Sequence, residues 1–272
     1  MKKIFSIFLL FFCLLIFSQK KWDLRFYNEL VGSEYVIYAD NSEVMPMSVK
    51  FSFKLINLKS SIANDEIIVI PANTKRFLVA KITPLNAREG NQFSYTTTFN
   101  FGNAAQETFD EDYLYSLPFG KGKTHLIYQG YYGKFSHQKD AALDFDMKIG
   151  DPVYAAREGN VVLTEDSNLQ GCPKISCAKF NNKVLIMHSD GTFADYAHLK
   201  YKGVAVKKGD EIKKGQLIGY SGNTGFSSGP HLHFSVFINR IDGSRTFINT
   251  EFKTSHGDGI LLEEGKSYTK ND

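Results

Sequence analysis

Two of the chain's seven histidines, His231 and His233, are separated by a single residue in Gly229-Pro230-His231-Leu232-His233-Phe234. Phe234, Val236, Phe237 and Ile238 follow as strand formers, and the turn-rich stretch 221–230 precedes them. Side chains at i and i+2 of a strand share a face, with Cβ atoms roughly 6.6 Å apart. Both rings can therefore serve one small site, and the chemistry that uses paired imidazoles in this way is metal binding.

His-x-His also arises by coincidence, so the reading depends on partners. Upstream, His137 and Asp144 bracket residues 138–143, and Asp144-Phe145-Asp146 opens a strand. His137, Asp144 and one histidine of the His231/His233 pair make three protein ligands. That leaves a fourth position open, as in a catalytic zinc site rather than a structural one. His198, in Tyr196-Ala197-His198-Leu199, becomes a candidate acid or base beside the metal. His188, next to Ser189-Asp190-Gly191, reads as a turn or packing residue, and His125 and His256 read as surface residues.

The elements that must hold these groups are strands. Glycine and aromatic residues are plentiful and long helical periodicities are scarce, so the expected class is all-β. From Ser48 to Leu55 apolar and polar residues alternate strictly, and Phe93, Tyr95, Thr97, Phe99 and Phe101 repeat the pattern. Phe77-Leu78-Val79-Ala80 reads as a strand buried on both faces. Residues 19–112 are accordingly expected to form an immunoglobulin-like β-sandwich. An acidic break at Phe109-Asp110-Glu111-Asp112 precedes a change to Gly- and Tyr-rich composition. Residues 113–272 then show short strands between regular turn signals, including a hairpin about Asp190-Gly191. Near the end, Gly259-Ile260-Leu261-Leu262 is expected to add a closing strand.

Lys2-Lys3, the apolar run from Ile4 to Phe17, and Ser18 read as a secretory signal peptide over residues 1–18. The run is shorter than the roughly 20 residues that span a bilayer. The chain is thus expected to be exported, periplasmic or secreted, and to meet a membrane only during export. An oxidising compartment would permit a disulfide between Cys172 and Cys177. The net charge of +3 comes from interleaved acids and bases, which excludes a nucleic-acid-binding tract.

Five motifs in order carry a family resemblance: His137 through Asp144-Phe145; Gly150-Asp151-Pro152-Val153-Tyr154-Ala155-Ala156; Tyr196-Ala197-His198-Leu199; Gly215-Gln216-Leu217-Ile218-Gly219; and Gly222-Asn223-Thr224-Gly225 through His231-Leu232-His233-Phe234. Over about residues 113–250 the chain resembles the lysostaphin-type zinc metallopeptidases, peptidoglycan endopeptidases with a small antiparallel β-sheet catalytic domain. The resemblance implies Zn2+ held by His137, Asp144 and His233, with His198 and His231 as catalytic histidines and a peptidoglycan peptide as substrate. It also implies a tyrosine that hydrogen-bonds the oxyanion, for which Tyr131 and Tyr132 are the candidates. In one respect the chain departs from the family, whose first motif often has three residues between His and Asp, whereas residues 138–143 intervene here. Asp144 is preferred to Asp140 because Phe145 and the Gly150-Asp151-Pro152-Val153 turn keep the family's spacing from it. Folds of this type also occur as non-catalytic modules that regulate cell-wall hydrolases, and the same residues would serve an extracellular protease acting on proteins. The complete set of five metal and catalytic residues favours the enzyme.

Overall fold

The computed structural model describes residues 22–271, so the signal-like segment 1–18 lies outside the described residues. Among those described, the only helical segment is the 3-10 turn Ile175–Phe180. Two sheets occupy the N-terminal part. One runs Leu24–Val31, Glu34–Asn41, Thr74–Pro84, Leu58–Ser60, and the other Ile67–Ile70, Met47–Ile56, Gln92–Phe101. On Met47–Ile56 the alternation has the expected effect, since Val49 and Phe51 are fully buried while Ser52 and Lys54 are exposed. Phe77–Ala80 departs from expectation. Val79 and Ala80 are buried, but Leu78 is 47% exposed, because a register shift in the pairing with Glu34–Asn41 turns it outward.

The C-terminal part is built on a nine-stranded sheet. Its order is Glu211–Ile212, Gly159–Glu165, Lys183–Met187, Phe193–Ala197, Leu232–Asn239, Ala142–Phe145, Thr124–Gln129, Ser267–Thr269, and Arg245–Ile248 pairs with the far half of Leu232–Asn239. The Asp190-Gly191 hairpin forms as the sequence predicts, joining Lys183–Met187 to Phe193–Ala197. Gly257–Leu261 pairs with Glu251–Thr254, while the Ser267–Thr269 strand closes the edge of the large sheet.

Period-two alternation divides the work of the central Leu232–Asn239 strand. Leu232, Phe234, Val236 and Ile238 enter a core with Leu143, Phe145, Val184, Ile186 and Tyr196. His233, Ser235 and Phe237 take the opposite face. Across that face Lys183, Ala197, His233, Asp144 and Gln129 form one row of cross-strand neighbours, and Met187, Phe193 and Phe237 form another. The second row is covered by the N-terminal sheets, since Phe193 and Phe237 share a continuous core with Ile37, Phe51 and Ile82. From His233 to Phe237 is about 13 Å along a strand. The N-terminal sheets thus cap one end of the face whose other end carries the histidines.

The contact is close. Gly102 lies beneath the Phe193 ring with φ +84°, and a Cβ there would stand 2.7 Å from Phe193 Cε2. The acidic break is fastened to the hairpin turn as well: Gln106 Nε2 donates to the Asp190 carbonyl at 2.6 Å, and the Asp110 amide to Asp190 Oδ2 at 3.2 Å. Because Phe237 is fully buried in this shared core, Phe237→Ala is expected to cost about 3–5 kcal/mol. Urea unfolding should show the lost stability as a lower midpoint in a single transition of both parts.

Candidate metal centre

Three adjacent elements bring the ligand candidates together. Asp144 pairs directly with His233 across the antiparallel strands, so their side chains stand on the same face. His137 comes from the loop between Thr124–Gln129 and Ala142–Phe145, where its amide donates to the Gly133 carbonyl. The result is a triangle: His233 Nδ1 lies 3.0 Å from Asp144 Oδ1, His137 Nε2 3.4 Å from the same oxygen, and the two ring nitrogens 3.2 Å apart. Asp140, the alternative carboxylate, is not part of it.

Hydrogen bonds fix which ring nitrogens carry protons. His137 Nδ1 faces the Gly130 carbonyl at 3.1 Å and must donate to it, so in the neutral ring Nε2 turns a lone pair to Asp144 and only in the imidazolium does it donate there. Lone pairs and a carboxylate oxygen converging in a buried pocket repel one another unless a proton or a cation lies between them. Two imidazoles and a carboxylate are a donor set that suits zinc, so the residues fit a metal ion. The charges reflect this tension. Burial pushes the Asp144 carboxyl up, but the hydrogen bonds from His137 and His233 outweigh it and hold the group well below the usual carboxylate range. Burial works against protonation of His137, and Asp144 overcomes it and raises the imidazole.

His231 and His198 flank the triangle. His231 Nδ1 donates to the Gly229 carbonyl at 2.8 Å, so Nε2 is unprotonated and lies 3.6 Å from Asp144 Oδ1. His198 Nδ1 donates to the Thr224 carbonyl at 2.7 Å, and its ring stands 4.5 Å from that of His231, centroid to centroid. Burial lowers both, His198 to about 3 with help from His231 and His233, so both rings are neutral near pH 7. His198 holds a left-handed φ of 63°, unusual for a residue with a Cβ, and the Asn181 side chain fixes it by accepting from the His198 amide at 2.9 Å.

Residues 138–245 match the profile of Peptidase family M23. The chain carries an M23 peptidase domain. Asp144, His198, His231 and His233 fall inside the matched segment, and His137 lies one position before it. Peptidoglycan DD-endopeptidase ShyA of Vibrio cholerae is 40% identical over 95 residues, 35% of this chain and 19% of that one. Lysostaphin of Staphylococcus simulans is 39% identical over 119 residues, 43% of this chain and 22% of that one. The glycyl-glycine endopeptidase ALE-1 of Staphylococcus capitis is 35% identical over 118 residues, 43% of this chain and 30% of that one. The chain thus spans between about a fifth and a third of the length of these curated relatives.

In the M23 domain the histidines open into a cleft of about 340 Å³, also lined by Tyr128, Asn181, Ser227 and Ser228. Neither tyrosine singled out from the sequence lines it. Tyr131 is turned away and donates to the Thr250 carbonyl at 2.7 Å, and Tyr132 is 52% exposed elsewhere. Tyr128 stands there instead, its ring edge-on to His231 at 5.4 Å and its phenol pushed up to about 12 by burial. A signal for it existed, because Tyr128 is an aromatic on the open face of the strand that leads to Asp144's partner Gln129. Of the two residues that seat His198, Thr224 stands in the fifth sequence motif, and Asn181 was not singled out from the sequence.

The remaining histidines lie apart. His125 is half-buried, edge-on to Phe119, with Nδ1 at 2.6 Å from the Asp146 carbonyl, and His256 is exposed. His188 is buried, donates from Nδ1 to the Glu158 carbonyl at 2.6 Å, and has no partner at Nε2. Burial lowers it from 6.5 to about 4. Its folded value is depressed, so its contribution is fully present above pH 6.5 and is lost as pH falls towards 4. The loss amounts to roughly 3 kcal/mol. His188→Asn, which keeps a donor for Glu158, should show a shallower fall in urea midpoint between pH 7 and pH 4.5 than the parent; equal slopes would refute the assignment.

Proposed function

We propose that the chain is a zinc-dependent endopeptidase that hydrolyses peptide stems or cross-links of bacterial peptidoglycan. The observation that carries this reading is the convergence of His137, Asp144 and His233 on one point, with two neutral histidines facing the same cleft. The relatives named as DD-endopeptidase and glycyl-glycine endopeptidase support peptidoglycan as the substrate. Export is supported by the signal-like segment 1–18 and by the Cys172–Cys177 disulfide, which suits an oxidising compartment.

His137, Asp144 and His233 would hold the metal, which when bound supplies Lewis acidity, polarising a carbonyl and making water a better nucleophile at neutral pH. His231, through its bare Nε2, accepts the proton of the attacking water. The same proton, held on the His231–His198 pair, is then passed to the leaving amine; His198 reaches it through Nε2, its Nδ1 being committed to the Thr224 carbonyl. Tyr128 donates to the oxygen on which negative charge develops. Tyr128→Phe should therefore lower kcat about a hundredfold with metal content unchanged. Tyr131→Phe should leave kcat within about twofold, since its hydroxyl serves Thr250.

The deciding experiment measures soluble fragments released from purified peptidoglycan by residues 19–272, with chelator and after zinc is restored. Release that stops and returns with the metal supports the proposal. Protein that holds one zinc yet releases nothing would refute it and favour a protein substrate or a binding module.

A further inference from the structure

The cleft contains charged residues that the five-residue site does not use. On its wall beyond His233 stand Lys183, Asp195 and Arg245. Lys183, Ala197 and His233 are consecutive cross-strand neighbours, so Lys183 lies two strand spacings, about 9.6 Å, from His233 at the Cα. Asp195 is 5% exposed, and its Oδ2 is 3.4 Å from Arg245 Nη1 and 3.7 Å from Lys183 Nζ. Both cations are part-exposed, at 31% and 25%, and Arg245 is further fixed by lying 3.9 Å over the Phe237 ring.

One carboxylate against two cations leaves a positive charge over. Asp195 engages a single guanidinium nitrogen of Arg245, so most of the planar fork is uncommitted. A flat donor fork beside an ammonium, backed by a buried anion that sets both in place, matches a carboxylate in geometry and charge.

We propose that Arg245 and Lys183, positioned by Asp195, form a carboxylate-binding subsite, and that the preferred substrate is an acidic peptide with a free carboxylate on a residue next to the scissile amide. The subsite rests on the peptidase reading only for where that amide lies. Glycyl-glycine, the bond named for one relative, offers no side-chain carboxylate for this wall. Asp195 touches no substrate; it acts through Arg245.

The test uses the zinc-loaded chain and two fluorescent peptides that share one amide to be cleaved and differ in a free carboxylate or a carboxamide on the adjacent residue. Binding is read by anisotropy and cleavage by kcat/KM. The expected result is a preference for the acid of about ten- to a hundredfold, the worth of one charge-assisted pair. In Arg245→Gln and Lys183→Gln the acid-to-amide ratio should fall towards one, and in Asp195→Asn KM should rise for the acid peptide with kcat held. A ratio near one in the unmodified chain would overturn the subsite, whether or not either peptide is cut. If neither peptide is cut but the acid binds more tightly and Arg245→Gln removes the difference, the subsite stands and the peptidase reading falls.

Discussion

Asp144→Ala is expected to empty the metal centre and abolish hydrolysis. The carboxylate is 3% exposed and lies within 3.0–3.6 Å of nitrogens on three histidines, so it is the one negative charge around which the site is assembled. Losing an outer-sphere partner of a metal ligand costs about ten- to a hundredfold in affinity, and losing a ligand should exceed that. Without Asp144 the His137 and His233 nitrogens converge on one another with no anion to favour a cation between them. Metal analysis after dialysis should find the variant metal-free where the parent retains one ion. Asp140→Ala, outside the triangle, should retain the metal, and the opposite outcome would reassign the ligand.

The second large effect is expected at His231. With Nδ1 committed to Gly229, its bare Nε2 is held against the site in the neutral form needed to take a proton. His231→Ala should lower kcat by about a thousandfold, the middle of the range for a positioned base, while zinc stays bound. His198→Ala should do likewise. Because the rings are 4.5 Å apart and act on one proton inventory, the double variant should be little worse than the more damaged single variant. Additive losses would mean that the two histidines serve separate steps. Metal content measured beside kcat separates either result from loss of a ligand.

Much of this arrangement was legible beforehand, and the reason is local. The i, i+2 spacing of His231 and His233 places both rings at one site in any strand, and each indeed approaches Asp144. The Asp190-Gly191 turn dictates a two-stranded hairpin, and the alternation over Ser48–Leu55 dictates which side chains are buried. Where local pattern and neighbouring strands compete, the neighbours win. The all-apolar Phe77–Ala80 looked buried on both faces, yet a shifted register exposes Leu78. Tyr131 and Tyr132 lay closer in sequence to His137 than Tyr128 does, but strand pairing sends Tyr128 alone to the cleft.

By itself the sequence determined the all-β class, the ligand candidates and the two histidines beside them, because these depend on residue type and on a period of two that every strand obeys. Tertiary structure alone decided which strands are neighbours. That order sets Asp144 opposite His233, gathers Lys183 and Arg245 on Asp195 from strands far apart in the chain, and lays the N-terminal sheets over the Phe193 and Phe237 end of the same face. Pairing between distant strands is chosen by the fit of whole faces against one another, and no short window of residues contains that information.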